Sequence, residues 1–354
     1  MIALPDAPTS AAIDAAIDAA LARLRARLTR LDPAADALGG AISRAAGGGK
    51  RFRPALVVAS FQTLGGRADD PSVYSVAAAF ELLHTAFVVH DDVIDHDLER
   101  RGIPNVAGEF RTRGRSLGAD APGAALLGDA AAILAGDLLL HEAVRLVASA
   151  DVAPETRADL LTLLEDAVVV SAAGELADVE NAVVADEGLA ADAVLVAAAN
   201  KTAEYSFCAP LAAGAVLAQA PAPVRATLRR VGQLLGLAFQ LADDLIGAFG
   251  PAEVAGRGEG GDLREAKRTP LIALARESER WPEVSTALAQ AHTGPVAVRA
   301  AQQALAASGA RERLEQLIAD TLAEARGLVM DSLLPDPARA MLLDLGDGVR
   351  KRIP

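Results

Sequence analysis

Residues 90–102 read HDDVIDHDLERRG and residues 239–244 read FQLADD. In the first run Asp91 and Asp95 are four apart, so a helix puts both carboxylates on one face, with Asp92 about 100° around. Two carboxylates at that spacing repel unless a cation lies between them. A divalent metal removes the repulsion and demands oxygen ligands. Mg2+ suits the pattern better than calcium or zinc, because it takes one or two carboxylates and leaves positions for water and other oxygens. No histidine or cysteine pair has zinc spacing. The bland alternative is a solvated acidic helix face. The apolar residues 86–89 (AFVV) argue against it, since carboxylates delivered by a buried helix are costly without partners.

The second run repeats the device. An apolar helix delivers Asp243 and Asp244 at its end, with Gln240 three residues before Asp243. Two such helices could hold two or three Mg2+ ions around one diphosphate, three being the expectation, and the metals would neutralise a departing leaving group. Cations gather in separate patches. GGGKRFRP (47–54) sets flexible backbone and three cations ahead of a helix start, a suitable anion site. Arg100 and Arg101 follow the first acids, and Lys201-Thr202 and Lys267-Arg268-Thr269 supply more. Each basic pair is otherwise a solubilising surface charge. That reading is weakest for Lys201, which interrupts an apolar run, and strongest for Arg23 and Arg229.

The elements that must hold these groups read as helices throughout. Residues 9–30 place Ile13, Ile17, Leu21 and Leu24 at helical spacing, with arginines at the end the helix dipole favours. Pro54 opens a helix over 53–65, which stops at Gly65-Gly66. The spacing predicts a long apolar helix over 71–100 and an irregular segment over 102–123, rich in Gly, Arg and Pro. Further helices are expected at roughly 124–149, 153–182, 189–218, 222–249, 268–277, 298–306, 310–328 and 335–347. No alternating β-branched run suggests a sheet and no fixed-period repeat is present. The stretch 250–266 is loop-like, and the first eight residues read as loose. Nothing resembles an interdomain linker, so the reading is one all-α domain over 1–354.

Composition agrees. Of 354 residues, 52% are hydrophobic but only 3% aromatic, so the core must be built from Ala, Leu and Val, which favours close-packed helices. The net charge of −13 argues against nucleic-acid binding. One cysteine, Cys208, leaves no internal disulfide framework and fits a reducing cytosol. The start, MIALPDAPTS, lacks a basic signal-peptide region. The uncharged stretch 205–224 is long enough to span a bilayer. Pro210, Gly214, Gln219 and Pro221 interrupt it, so it reads as a buried core helix and no transmembrane segment is expected.

Taken together, the motifs resemble the trans-isoprenyl diphosphate synthase, or polyprenyl synthetase, family. The resemblance spans roughly residues 40–275. It rests on GGGKRFRP (47–54), ELLHTAFVVHDDVIDHDLERRG (81–102), AGDLLL (135–140), GELAD (174–178), KTAEYSF (201–207), FQLADDLIGAFG (239–250) and GDLREAKRT (261–269), in the family's order. It implies an all-α fold around a central apolar cavity, usually a cytoplasmic homodimer, and condensation of isopentenyl diphosphate with an allylic diphosphate. Carried over by position, Asp91, Asp95 and Asp243 would ligate Mg2+, supported by Asp92 and Asp244. Arg100, Lys201 and Lys267 would grip the allylic diphosphate. Lys50, Arg53, His84 and Arg101 would hold isopentenyl diphosphate, and Thr202 and Gln240 would line the cationic centre.

This chain departs from the pattern at a few points. The second motif often reads DDxxD in the family, and here Gly247 removes the last acid. The lysine common in the following loop has Arg257 as its nearest candidate, Gly261-Asp262 stands for an acid pair, and Gly174-Glu175 stands for Gly-Gln. Product length should be set one turn up the helix from Asp91, where Ala86 leaves room and Phe87 narrows the floor, giving C15 to C20 with C20 favoured. Two other readings compete. A terpene cyclase or head-to-head condensing enzyme would have no use for the Lys50, Arg53 and His84 patch. A non-catalytic partner subunit would be marked by loss of Asp91 or Asp95, and both are present.

Overall fold

The computed structural model describes residues 6–100, 102–183, 191–251 and 260–354. Almost all of them are helical, as the composition requires. They group into two compact units: Leu4–Thr162 with Ala213–Gln219, and Leu163–Ala212 with Ala220–Pro354.

In the first unit, side-chain caps mark the helix starts. Asp6 accepts from the Thr9 amide at 2.9 Å and opens α1 (Ala7–Leu28), which buries Ile13, Ile17, Leu21 and Leu24 on one stripe. Asp32 accepts from the Ala34 and Ala35 amides at 2.7 and 2.9 Å and opens α2 (Pro33–Ala45). Sequence periodicity did not anticipate α2, because Gly39 and Gly40 blur it. Helix α3 (Phe52–Thr63) is followed by α4 (Pro71–Ile94), capped by Asp70. Helix α4 is apolar nearly all round and packs against α1, α3 and the later α6.

The long helix expected over 71–100 ends six residues early. The chain turns back in a two-residue antiparallel pairing, β1 (Glu99–Arg100) with β2 (Ile103–Pro104), through Gly102 at φ +76°. The expected irregular segment 102–123 holds α5 (Val106–Ser116), capped by Asn105. Its glycines are packing positions. A Cβ on Gly108 would lie 2.2 Å from the Leu98 carbonyl oxygen, and one on Gly114 would lie 3.0 Å from Ala124 Cα. Helix α6 (Ala121–Ala148) completes this unit, and α7 (Pro154–Val183) begins in it.

The second unit holds the rest of α7 and then α8 (Ala191–Ala203), a π-helical turn (Glu204–Cys208), α9 (Ala209–Leu217, shared with the first unit) and α10 (Ala222–Phe249). The expected single helix over 189–218 is therefore present over its described residues with a π-helical turn inside it. The uncharged stretch lies on this turn and α9, and most of it is buried. Short α11 (Gly261–Arg264) leads to α12 (Pro270–Arg276), α13 (Trp281–Gln290), α14 (Pro295–Ala307), α15 (Ala310–Met330) and α16 (Asp336–Arg350). Helix α13 was not anticipated. Its core joins Leu241 and Leu245 to Leu271, Val298, Leu314 and Ile318.

Among the described residues, two helices, Pro71–Ile94 and Ala121–Ala148, are long and apolar enough to cross a membrane. The first is mostly buried within the protein.

Candidate active site

Helix α4 carries the first acidic cluster at its C-terminal end. Asp91 is partly exposed, Asp92 is buried and Asp95 is exposed at the cap. The β1–β2 turn returns Arg100 to these acids. Its Nη2 and Nε donate to Asp92 Oδ1 at 2.6 and 3.0 Å, and Nη2 lies 3.8 Å from Asp91 Oδ2. Burial raises the Asp92 carboxyl above the usual aspartate range, and the Arg100 guanidinium opposes that rise. Asp92 is thus tied to Arg100 inside the fold, while Asp91 and Asp95 reach the surface.

The glycine-rich run before α3 is more divided than its sequence suggested. Gly48 and Gly49 have φ of +71° and +87°. Arg51, itself at φ +49°, turns inward: it donates to Asp14 at 2.8 Å, to Glu81 at 2.9 Å and to the Ala46 carbonyl at 3.0 Å. Of the three cations there, one therefore serves the fold. Lys50 is exposed and Arg53 half-buried at the helix start. His84 is half-buried on α4, Ala86 is fully buried and Phe87 half-buried. Arg101 and Arg257 lie outside the described residues.

The second unit carries the other groups. Thr202 Oγ1 donates to Gln240 Oε1 at 2.7 Å, and Gln240 Nε2 donates to Asp244 Oδ1 at 3.0 Å. The chain fixes the amide of Gln240 by both its ends. Burial, reinforced by the nearby Asp262 carboxylate, pushes Asp244 well above the usual aspartate range. Its Oδ2 has no hydrogen-bond partner among the described residues. Asp243, one position before it, is about a third exposed and pairs with Arg352. Lys201 Nζ lies 3.0 Å from both Glu175 and Asp178, the acids of the GELAD run. Lys267 lies 3.5 Å from Glu265, and Arg268 donates to the Asn181 carbonyl at 2.7 Å.

Gly247 has a local explanation. A Cβ there would stand 1.8 Å from Asp262 Oδ2. The carboxylate absent from position 247 has its space taken by one from α11. Arg23 and Arg229, read as solubilising charges, also have structural work. Arg23 pairs with buried Glu142, and Arg229 bridges Asp166 and the buried Glu204 at 3.1 and 3.2 Å. Sequence reasoning named Asp262 only as the remnant of an acid pair, without its contact at Gly247, and nothing pointed to Arg352.

These donors are all oxygens, and an unpartnered carboxylate oxygen sits buried at the second cluster. The set fits a hard divalent cation. Among the described residues, no three His, Cys, Asp or Glu side chains are already gathered into a ligand cage.

Residues 36–306 match the polyprenyl synthetase family. The chain belongs to that family. It is 34% identical over 300 residues to a geranylgeranyl diphosphate synthase of Mycobacterium tuberculosis, covering 84% of this chain and 78% of that protein. A (2E,6E)-farnesyl diphosphate synthase of the same species is 38% identical over 221 residues, 62% of this chain and 55% of that protein. The fold matches a geranylgeranyl pyrophosphate synthase from Corynebacterium glutamicum, solved with isoprenyl diphosphate and magnesium, with a TM-score of 0.88, 28% identity and coverage of 97% and 98%. A polyprenyl synthase from Caulobacter crescentus, solved with calcium and isoprenyl diphosphate, matches with a TM-score of 0.73, 30% identity and coverage of 98% and 96%. The chain is a prenyltransferase of the all-α class.

Proposed function

We propose that this prenyltransferase condenses isopentenyl diphosphate with an allylic diphosphate to give an all-trans C15–C20 product, C20 favoured. The observation that carries the reading is the pairing of two surface-reaching carboxylates, Asp91 and Asp95, with a buried third, Asp92, that holds Arg100. The metal would be Mg2+, three ions per site, held by Asp91, Asp95 and Asp243. When bound it would neutralise the diphosphate as the allylic C–O bond breaks.

The chain's own residues do the rest. Arg100, Lys201 and Lys267 bind the allylic diphosphate, and Lys50, Arg53, His84, Arg101 and Arg257 add positive or polar contacts for the diphosphates. Thr202 and Gln240 present oxygen dipoles to the allylic cation, oriented by the bond to Asp244. The double bond of isopentenyl diphosphate supplies the electron pair for the new C–C bond. The resulting cation loses a proton, and the released diphosphate accepts it, so no side-chain base is needed. Apolar walls keep water from the cation.

The length limit follows from α4. Ala86 is small and buried, whereas the Phe87 ring is half-buried one turn above Asp91. The protein acts as a cytoplasmic homodimer. Helix α6 supports this, since it exposes Leu126, Ile133, Leu134 and Val144 to solvent, and a second copy of the same face would cover them. Asp91→Ala and Asp95→Ala should each abolish steady-state turnover. Asp244→Ala should lower it about 100-fold yet leave measurable product, through loss of the Gln240 anchor. Full activity in Asp91→Ala would overturn the assignment.

A further inference from the structure

Arg352 pairs directly with Asp243, an expected metal ligand 109 positions away in the sequence. It follows α16 by two residues, and its amide donates to the Val349 carbonyl at 3.0 Å. Phe239 and Asp243 lie one turn apart on α10. The Arg352 guanidinium stands over the Phe239 ring, 4.3 Å from its centroid, and pairs with Asp243. The ring fixes the plane of the guanidinium, and Phe239 is itself braced by Phe207 at 5.4 Å. Arg352 Nε is buried and has no hydrogen-bond partner among the described residues. One face of this cation therefore neutralises Asp243, and the Nε donor has no acceptor among the described residues.

We propose that Arg352 is a built-in counter-ion of Asp243 that makes metal binding there conditional on diphosphate. The proposal rests on the reading of Asp243 as a metal ligand. A divalent ion approaching Asp243 alone meets a guanidinium already paired with that carboxylate, and the two cations repel. An anionic diphosphate changes the balance. It would accept from Arg352, which stays stacked on Phe239, and its negative charge would favour a divalent ion beside Asp243. Metal and diphosphate then bind with positive coupling, which must be reciprocal. Uptake of metal without substrate is suppressed, and the acidic cluster stays neutralised in the resting protein.

The test uses the full chain, with Arg352→Gln and Arg352→Lys, and two measurements. Mn2+ binding without diphosphate is read by the EPR signal of free ion. Binding of inorganic diphosphate at saturating Mg2+ is read by calorimetry. Each side chain of the pair is about one-third exposed (33% and 36%), so solvent screens the interaction. Arg352→Gln should therefore tighten Mn2+ by only about fivefold. It should weaken inorganic diphosphate by about tenfold or more. Arg352→Lys, which keeps the charge without the planar fork, should fall between. Opposite signs are the signature, because a merely structural role lowers both affinities together. Parallel losses, or no change in either affinity, would overturn the proposal. Asp243→Asn separates the two levels: if it leaves Mn2+ binding unchanged, the metal assignment itself fails and this inference with it.

Discussion

Gly174 sits where α7 and α8 press together. A Cβ there would stand 2.3 Å from the Lys201 amide nitrogen, 2.6 Å from Asn200 C and 2.8 Å from Lys201 Cα. All three are backbone atoms, so no side chain can swing away. Ordinary contact begins near 3.4 Å, and Gly174→Ala must therefore drive α8 back by about 1 Å at Lys201. Two consequences follow from the same shift. The Thr202 to Gln240 bond, 2.7 Å long, would stretch beyond hydrogen-bond range, and Lys201 would part from Glu175 and Asp178. A misplacement of that size lowers kcat by about 100-fold. Overpacking of the helix pair costs about 1–3 kcal/mol of stability. Steady-state kinetics with each substrate varied in turn, together with urea unfolding, measures both. A variant with kcat within twofold of the parent would refute the argument that α7 positions Lys201 and Thr202 by close contact.

Two other perturbations address separate parts of the molecule. Phe87→Ala should lengthen the product, seen by chromatography of the dephosphorylated prenols; an unchanged length would remove Phe87 as the stop. Glu204 is held above the ordinary glutamate range of about 4.3 by burial, against the pull of Arg229. The folded chain therefore binds this proton more tightly than the unfolded chain. Its contribution to stability falls as pH rises from about 4.3 through the folded value. Glu204→Gln should remove that slope, so urea unfolding should find the variant gaining on the parent as pH rises from about 4 to 7. A gap that does not change with pH would refute it.

Much of this architecture is legible in the residues. Apolar spacing located α1, α4, α10 and α15, and Asp91 and Asp95 stand on one face as their interval requires. The illegible parts have physical causes. Helix α2 hides behind Gly39 and Gly40, although Asp32-Pro33 is a strong start signal. Helix α5 is rich in Gly and Arg because its glycines admit Leu98 and Ala124, so propensity gives way to packing. The π-turn at Glu204 carries no periodic signature and is accompanied by the long-range pairing of Glu204 with Arg229. Long-range pairs are the general blind spot. Arg51 with Glu81, and Arg352 with Asp243, join residues 30 and 109 positions apart, and no local pattern announces such partners.

The central claim is metal-dependent elongation by condensation. The direct measurement gives the purified protein labelled isopentenyl diphosphate with dimethylallyl, geranyl or farnesyl diphosphate, with Mg2+ or with excess chelator. C15 to C20 prenyl diphosphates should form with Mg2+ and none with chelator. No metal-dependent product from any starter would contradict it.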